Sequence, residues 1–185
     1  MAFFRKPDLS DWEKLIEKIN AKKDKQVSIA IVGKYFGTGD YQLRDSYAAL
    51  LDAIDHAAFN IGVSVKTLWI DAEKVEKMGV GIIGNPDGLI VPIGWGERGA
   101  EGMIAAASFA RDRKIPYLGL CYGMQLGVIG FARDILGWKD ANTTENNPKT
   151  KHPVIHLMPK QQKFMKKSPL TSSIYMITTK MIWII

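Results

Sequence analysis

The stretch Pro116-Tyr117-Leu118-Gly119-Leu120-Cys121-Tyr122-Gly123-Met124-Gln125 decides how the rest of this chain is read. An apolar run over 116–120 passes straight into Gly-x-Cys-x-Gly, and residues 124–135 behind it read as a helix. Strand, tight turn and helix in that order form a nucleophile elbow with sulfur in place of oxygen. Such a turn is strained, so small neighbours at Gly119 and Gly123 are needed to avoid clashes. The helix N-terminus behind Cys121 is expected to favour thiolate over thiol. The N–H of Tyr122 is expected to face the oxyanion of a tetrahedral intermediate. The bland alternative is an inert buried cysteine at a strand end. Glycines on both sides at elbow spacing argue against it.

Working outward, Val27-Ser28-Ile29-Ala30-Ile31-Val32 reads as a buried strand, 63–70 as a second and 88–91 as a third, with 116–120 the fourth. The third follows the turn pair Pro86-Asp87. Helices are expected where Tyr47, Leu50, Leu51 and Ile54 share a face, over 100–111, and over 124–135. Largely apolar strands alternating with helices mark a parallel sheet covered on both faces. The expected fold is a flavodoxin-like three-layer α/β sandwich. Ligands of such sheets bind beyond the carboxyl ends of the strands, so chemistry is sought in the loops after Val32, Val91 and Leu120.

Ahead of the sheet, Trp12, Leu15, Ile16 and Ile19 fall at helical spacing, with Asp8 or Ser10 as N-cap. Residues 1–25 therefore read as a linker or adaptor helix, 26–162 as the domain proper and 163–185 as an atypical tail. One further strand is expected over 154–158, and the tail shows no convincing helix or sheet pattern.

Three more features bear on chemistry. Val91-Pro92-Ile93-Gly94-Trp95-Gly96-Glu97-Arg98-Gly99 follows a strand, and its small residues let backbone approach a ligand and complete an oxyanion hole. In Asn142-Thr143-Thr144-Glu145 a carboxylate is available to a substrate ammonium or amide; standing alone it reads as a solvated loop acid. Of the three histidines, His56 is expected to cap or face solvent, and His156 to be an exposed strand residue in preference to a base for Cys121. Gly37-Thr38-Gly39 matches neither a phosphate loop nor a dinucleotide fingerprint, and no nucleotide and no metal are assigned.

The 185 residues, 46% hydrophobic and 24% charged, suit one globular domain. Much of the net charge of +6 sits on Lys160, Lys163, Lys166, Lys167 and Lys180, which read as a solvated end in preference to a nucleic-acid or lipid contact. A single cysteine excludes an internal disulfide and fits a reducing cytoplasm. No secretory leader and no apolar run of about 20 residues is visible, so no membrane contact is expected.

Together, Val32-Gly33-Lys34-Tyr35, Arg98-Gly99-Ala100-Glu101-Gly102-Met103, the 116–125 stretch, Ala141-Asn142-Thr143-Thr144-Glu145 and Pro153-Val154-Ile155-His156-Leu157-Met158 resemble the glutaminase domain of CTP synthases. The opening Asp8-Leu9-Ser10-Asp11-Trp12 resembles the linker that precedes that domain, and the likeness runs from about Pro7 to Gln162. The cysteine motif is general to class I glutamine amidotransferases; the lysine–tyrosine strand end and the Asn-x-Thr-Glu segment narrow it.

The resemblance implies that Cys121 attacks the side-chain amide of L-glutamine and forms a thioester. It implies that Gly94 and the turn Tyr122, Gly123, Met124, Gln125 bind glutamine and its oxyanion, and that Glu145 holds the α-amino group. No cofactor is implied for this domain; ATP and magnesium belong to a synthetase domain, absent here, which aminates UTP with the released ammonia. Family members form tetramers, so homo-oligomerisation through the full-length enzyme is implied. Two departures stand out. Ile93 replaces the first of two adjacent glycines, and Trp95 a phenylalanine. The family's glutamine-binding arginine and His-x-Glu pair have no counterpart in these 185 residues, which reads as a C-terminal truncation with very low activity alone. The alternatives are another flavodoxin-like cysteine hydrolase, or a non-catalytic module that docks on a partner synthetase.

Overall fold

The computed structural model describes residues 7–34, 37–38, 41–42, 47–156 and 182–184, with 37–38, 41–42 and 182–184 described by backbone alone. The expected tail lysines, Tyr35, Gly39 and the end of the expected 154–158 strand lie outside those residues. The chain divides into two compact units, Met1–Val27 with Tyr47–Lys66, and Ser28–Ser46 with Thr67–Ile185.

The first unit contains α1 (Ser10–Asn20) and α2 (Ala48–Ile61). The expected capping of α1 is corrected: Leu9 occupies the cap position without a side-chain bond, and Ser10 is the first helical residue. The Asp8 carboxylate accepts the Ser10 N–H at 3.0 Å, which holds its pKa below the usual value. Trp12, Leu15, Ile16 and Ile19 are all exposed. Helix α2 ends at Gly62 in the left-handed region, and the Ser64 N–H bonds the Lys25 carbonyl at 2.9 Å.

The second unit is built on a five-stranded sheet of order β4-β1-β5-β6-β9: β1 (Gln26–Gly33), β4 (Ser64–Asp71), β5 (Gly88–Val91), β6 (Tyr117–Gly119) and β9 (Ile182–Ile184). Strands β1, β5 and β6 run parallel, and β9 pairs antiparallel with β6, Gly119 opposite Ile182. The tail was expected to lack strand pattern; pairing with the open edge of β6 gives its backbone groups partners that the three-residue apolar run alone does not advertise. Two small ladders complete the set, β2 (Gly37–Thr38) with β3 (Tyr41–Gln42), and β7 (Asn142–Thr143) with β8 (Pro153–Ile155).

All four residues of β5 are buried, as are the last four of β1, which is why both read as uninterrupted apolar runs. Asp87 fixes the entry to β5: its carboxylate accepts from the N–H and hydroxyl of Ser28, each at 2.7 Å. Helices α3 (Ala72–Met78), α4 (Ala100–Asp112) and α5 (Tyr122–Asp134) bury Val75, Met103, Ala106, Leu126 and Ile129 in one core with Val32, Leu89 and Val91. Each large apolar side chain buried this way contributes about 1.5–3 kcal/mol.

Helix α3 and the 3-10 turn that follows it (Val80–Ile83) are additions to the sequence reading. The signal was short: Asp71 caps α3 by accepting from the N–H groups of Glu73 and Lys74. Helix α5 starts at Tyr122, two residues earlier than the apolar pattern suggested, so the turn has no slack between sulfur and helix.

Helices α3 and α4 touch at a point where no side chain fits. A Cβ on Gly102 would stand 2.0 Å from the Ala72 carbonyl oxygen. Gly102→Ala is expected to lower unfolding free energy by about 2–4 kcal/mol in a urea titration. Gly81→Ala, where nothing lies within 4 Å, is the control and is expected to change it by about 0.5 kcal/mol or less.

Candidate functional site

Parallel strands end on one edge of the sheet, and Lys34 after β1 and the loops after β5 and β6 meet there. Cys121 sits between β6 and α5 at φ 52° and ψ −103°. That is a conformation side-chain-bearing residues rarely hold, and costs about 1–3 kcal/mol. The expected need for small neighbours is met on both sides. A Cβ on Gly119 would lie 2.6 Å from the Met124 nitrogen, and one on Gly123 2.0 Å from the Val91 carbonyl oxygen. The turn is pinned by Leu120 N–H to Val91 O at 2.9 Å and by the Tyr117 hydroxyl, which donates to Gly123 O at 2.8 Å.

Cys121 is 7% exposed. Burial pushes its thiol pKa up, the Tyr122 N–H pulls it part of the way back, and the Glu145 carboxylate pushes it up again. The expected pull of the helix end toward thiolate is present in the Tyr122 N–H, but desolvation and a nearby anion outweigh it. The late histidines are engaged elsewhere. His156, exposed just past β8, has Nδ1 3.2 Å from Thr144 Oγ1. His152 bonds the Asp140 carboxylate and stacks on Trp138 with centroids 5.2 Å apart. His56 is exposed within α2.

The loop after β5 is held by groups from three other segments. Lys34, at the end of β1 and only 4% exposed, donates from Nζ to Trp95 O at 2.8 Å and Gly96 O at 2.6 Å. Tyr122 donates its hydroxyl to Gly96 O at 2.7 Å and accepts from Asn146 Nδ2 at 2.7 Å. The Gly96 N–H donates to Glu145 Oε1 at 3.0 Å. Gly96 has φ +73°, which turns two successive carbonyls toward one cation and is the reason glycine is needed there. A Cβ on Gly94 would meet only ordinary contacts, the nearest being Tyr122 Cδ1 at 3.5 Å. Ile93 is about half exposed and has no positive φ, so a glycine-only conformation is not demanded of it.

Glu145 is placed by the β7 ladder. Thr144 N–H bonds Ile155 O at 3.0 Å, and Glu145 N–H bonds Thr143 Oγ1 at 3.1 Å. Arg133 of α5 secures the start of that ladder through Ala141 O at 2.8 Å while pairing with Glu101 at 2.6 Å. Beside the site lies a cavity of about 390 Å³ lined by Glu97, Ala100, Glu101, Asn142, Asn146 and Asn147. Cys121 is not one of its walls. Gln125 Oε1 and Asn146 Oδ1 are buried acceptors without a protein partner among the described residues.

Cys121, Gly94, Tyr122, Gly123, Met124, Gln125 and Glu145 are the site residues expected from the sequence. The structure places Tyr122, the residue after Cys121, beside the Gly94–Gly96 loop and links that loop to Glu145. It adds Lys34, the Tyr122 hydroxyl and Asn146. The Val32-Gly33-Lys34-Tyr35 likeness was the one sequence signal that touched Lys34.

Burial lowers the Lys34 pKa to about 8; Glu145 opposes this, Arg98 adds to it, and Glu76 and Glu73 oppose it. The folded chain thus holds this proton less tightly than the unfolded chain, whose lysine keeps the usual 10.5. Stability of the wild type relative to Lys34→Met is expected to be flat below about pH 8 and to rise by about 1–3 kcal/mol as pH climbs to 10.5, measured by denaturant unfolding at stepped pH.

A family profile described as "Glutamine amidotransferase class-I" matches residues 42–175. The CTP synthase of Pyrococcus furiosus is 48% identical over 158 residues, which cover 85% of this chain and 28% of that protein. That of Chloroflexus aurantiacus is 46% identical over 162 residues, 87% of this chain and 29% of that protein. The chain thus spans under a third of the length of these curated relatives. Among solved structures, the Trypanosoma brucei CTPS glutaminase domain with bound acivicin superposes with a TM-score of 0.63 at 36% identity, over 72% of this chain and 51% of that one. The mostly parallel sheet, the elbow cysteine and these likenesses agree: the chain belongs to the class I glutamine amidotransferase family, in the branch formed by the glutaminase domains of CTP synthases.

Proposed function

We propose that this chain is the glutamine-hydrolysing part of a CTP synthase-type enzyme, with Cys121 as nucleophile. The observation that supports this most is the elbow: a cysteine at φ 52° wedged between two glycines that no other residue could replace, followed in the chain by Tyr122, which packs on the Gly94–Gly96 loop bonded to Glu145. In this reading Sγ attacks the side-chain carbonyl carbon of glutamine and the C–N bond breaks. The thiol proton ends on the departing nitrogen as ammonia, leaving a glutamyl thioester. Water then releases glutamate and restores the thiol. Backbone N–H groups of Gly94 and Tyr122 face the oxyanion, Gly123, Met124 and Gln125 complete the glutamine pocket, and Glu145 takes the α-ammonium.

The ammonia would serve a synthetase domain that aminates UTP to CTP using ATP and magnesium, in a full-length oligomer. Residues 1–25 would act as the connecting segment, 26–162 as the amidotransferase domain and 163–185 as an appended tail. The cytoplasm is the proposed compartment, in keeping with a single free cysteine. Among the described residues no helix is long and apolar enough to cross a membrane. Neither a nucleic-acid partner nor a cofactor of this domain is part of the reading.

Two outcomes test it. A diazoketone analogue of glutamine is expected to modify Cys121 saturably and one-to-one. The new S–C bond forms as dinitrogen leaves, and the diazo carbon takes up the thiol proton. Free glutamine should compete and Cys121→Ser should abolish the adduct; labelling that ignores glutamine would point to a different cysteine hydrolase or a docking module. Because the thiol pKa lies above its ordinary value of 9.0, the rate of Cys121 alkylation by iodoacetamide, which consumes the thiolate and takes up no proton, should still be climbing at pH 9. With no His-x-Glu in its 185 residues, the chain alone is expected to turn glutamine over at least about 100-fold more slowly than an intact enzyme of this type, measured as ammonia release.

A further inference from the structure

The peptide unit joining Trp95 and Gly96 lies between two opposite charges. In a trans peptide the C=O of one residue and the N–H of the next point in opposite directions. Here the Trp95 oxygen receives Lys34 Nζ at 2.8 Å, and the Gly96 N–H reaches Glu145 Oε1 at 3.0 Å. The peptide dipole is aligned with both partners, its negative end on the ammonium and its positive end on the carboxylate. Lys34 is fixed in turn by the Gly96 carbonyl at 2.6 Å and by the face of the Tyr122 ring, 4.8 Å from the cation. With one Glu145 oxygen taken by the Gly96 N–H, its second oxygen is the one available to a ligand ammonium.

We propose that Lys34 is a positioning residue for glutamine: through the Trp95–Gly96 peptide it orients and polarises the group that anchors Glu145, and so sets how strongly Glu145 selects ligands that carry an α-ammonium. This rests on the glutamine-binding reading above. Lys34 touches neither the reacting carbon nor the sulfur in this scheme, and its effect is on recognition of the amino end of the ligand. Its shifted pKa of about 8 still leaves it mainly charged at neutral pH, as the role requires.

The experiment compares Cys121 labelling in the 185-residue chain by two probes, the diazoketone analogue of glutamine and its counterpart lacking the α-amino group. Lys34→Met preserves length and bulk while removing charge and donors. It is expected to raise the half-saturating concentration of the amino-bearing probe about tenfold, to leave the desamino probe within about twofold, and to leave circular dichroism unchanged. Lys34→Arg should retain more of the discrimination than Lys34→Met. Equal losses on both probes would mark a merely structural lysine and overturn the inference, as would no loss on either. If Lys34→Met does not fold, Lys34→Gln is judged by the same two half-saturating concentrations. A wild-type chain that does not distinguish the two probes would overturn the assignment of Glu145, and this inference with it. One that distinguishes them while Lys34→Met does so equally well overturns this inference alone.

Discussion

The site depends on one steric constraint: a cysteine held at positive φ between two residues that have no Cβ. Gly123 lets the first turn of α5 press against the Val91 carbonyl, and Gly119 lets β6 pass under the Met124 nitrogen. Were either contact relaxed, the helix would retreat from β5, and the Tyr122 hydroxyl would lose the Gly96 carbonyl that it now reaches. The turn therefore does more than present a sulfur. It sets the distance between α5 and the loop after β5, and the rest of the cleft is built at that distance.

The second requirement is that the buried polar groups around the loop be satisfied. A glycine-rich segment has few side chains with which to hold itself, and its carbonyls would be costly to bury unpaired. Lys34, Tyr122 and Glu145 meet that need from just past β1, the first turn of α5 and just past β7. Because parallel strands deliver their ends to a single edge, residues more than sixty positions apart, such as Lys34 and Gly96, come within hydrogen-bond reach. The small β7–β8 ladder extends this arrangement to Glu145, and Arg133 ties it to the flank of α4.

Much of this was legible in the sequence because burial leaves a compositional trace. Strands β1 and β5 are covered on both faces and read as apolar runs, and the Gly-x-Cys-x-Gly turn states its own steric demand. Helix α3 was not legible, since seven residues with a single capping aspartate give too short a period to recognise. Lys34 was legible only by resemblance. A lysine after a strand looks like a solvated charge, and bonds to backbone carbonyls far along the chain leave no mark on the residues that make them. The raised pKa of Cys121 was not legible for a related reason. Helix position can be read from sequence, but the depth of burial and the nearness of Glu145 appear only in three dimensions.

That upward shift has a consequence for the life of the molecule. Peroxides and adventitious electrophiles attack thiolates far faster than thiols, and the first oxidised form, a sulfenic acid, leads on to states that cannot be reduced back. A lone sulfur kept protonated and nearly covered is protected from that course while idle. The burial that makes Cys121 a reluctant nucleophile at rest also makes it a durable one.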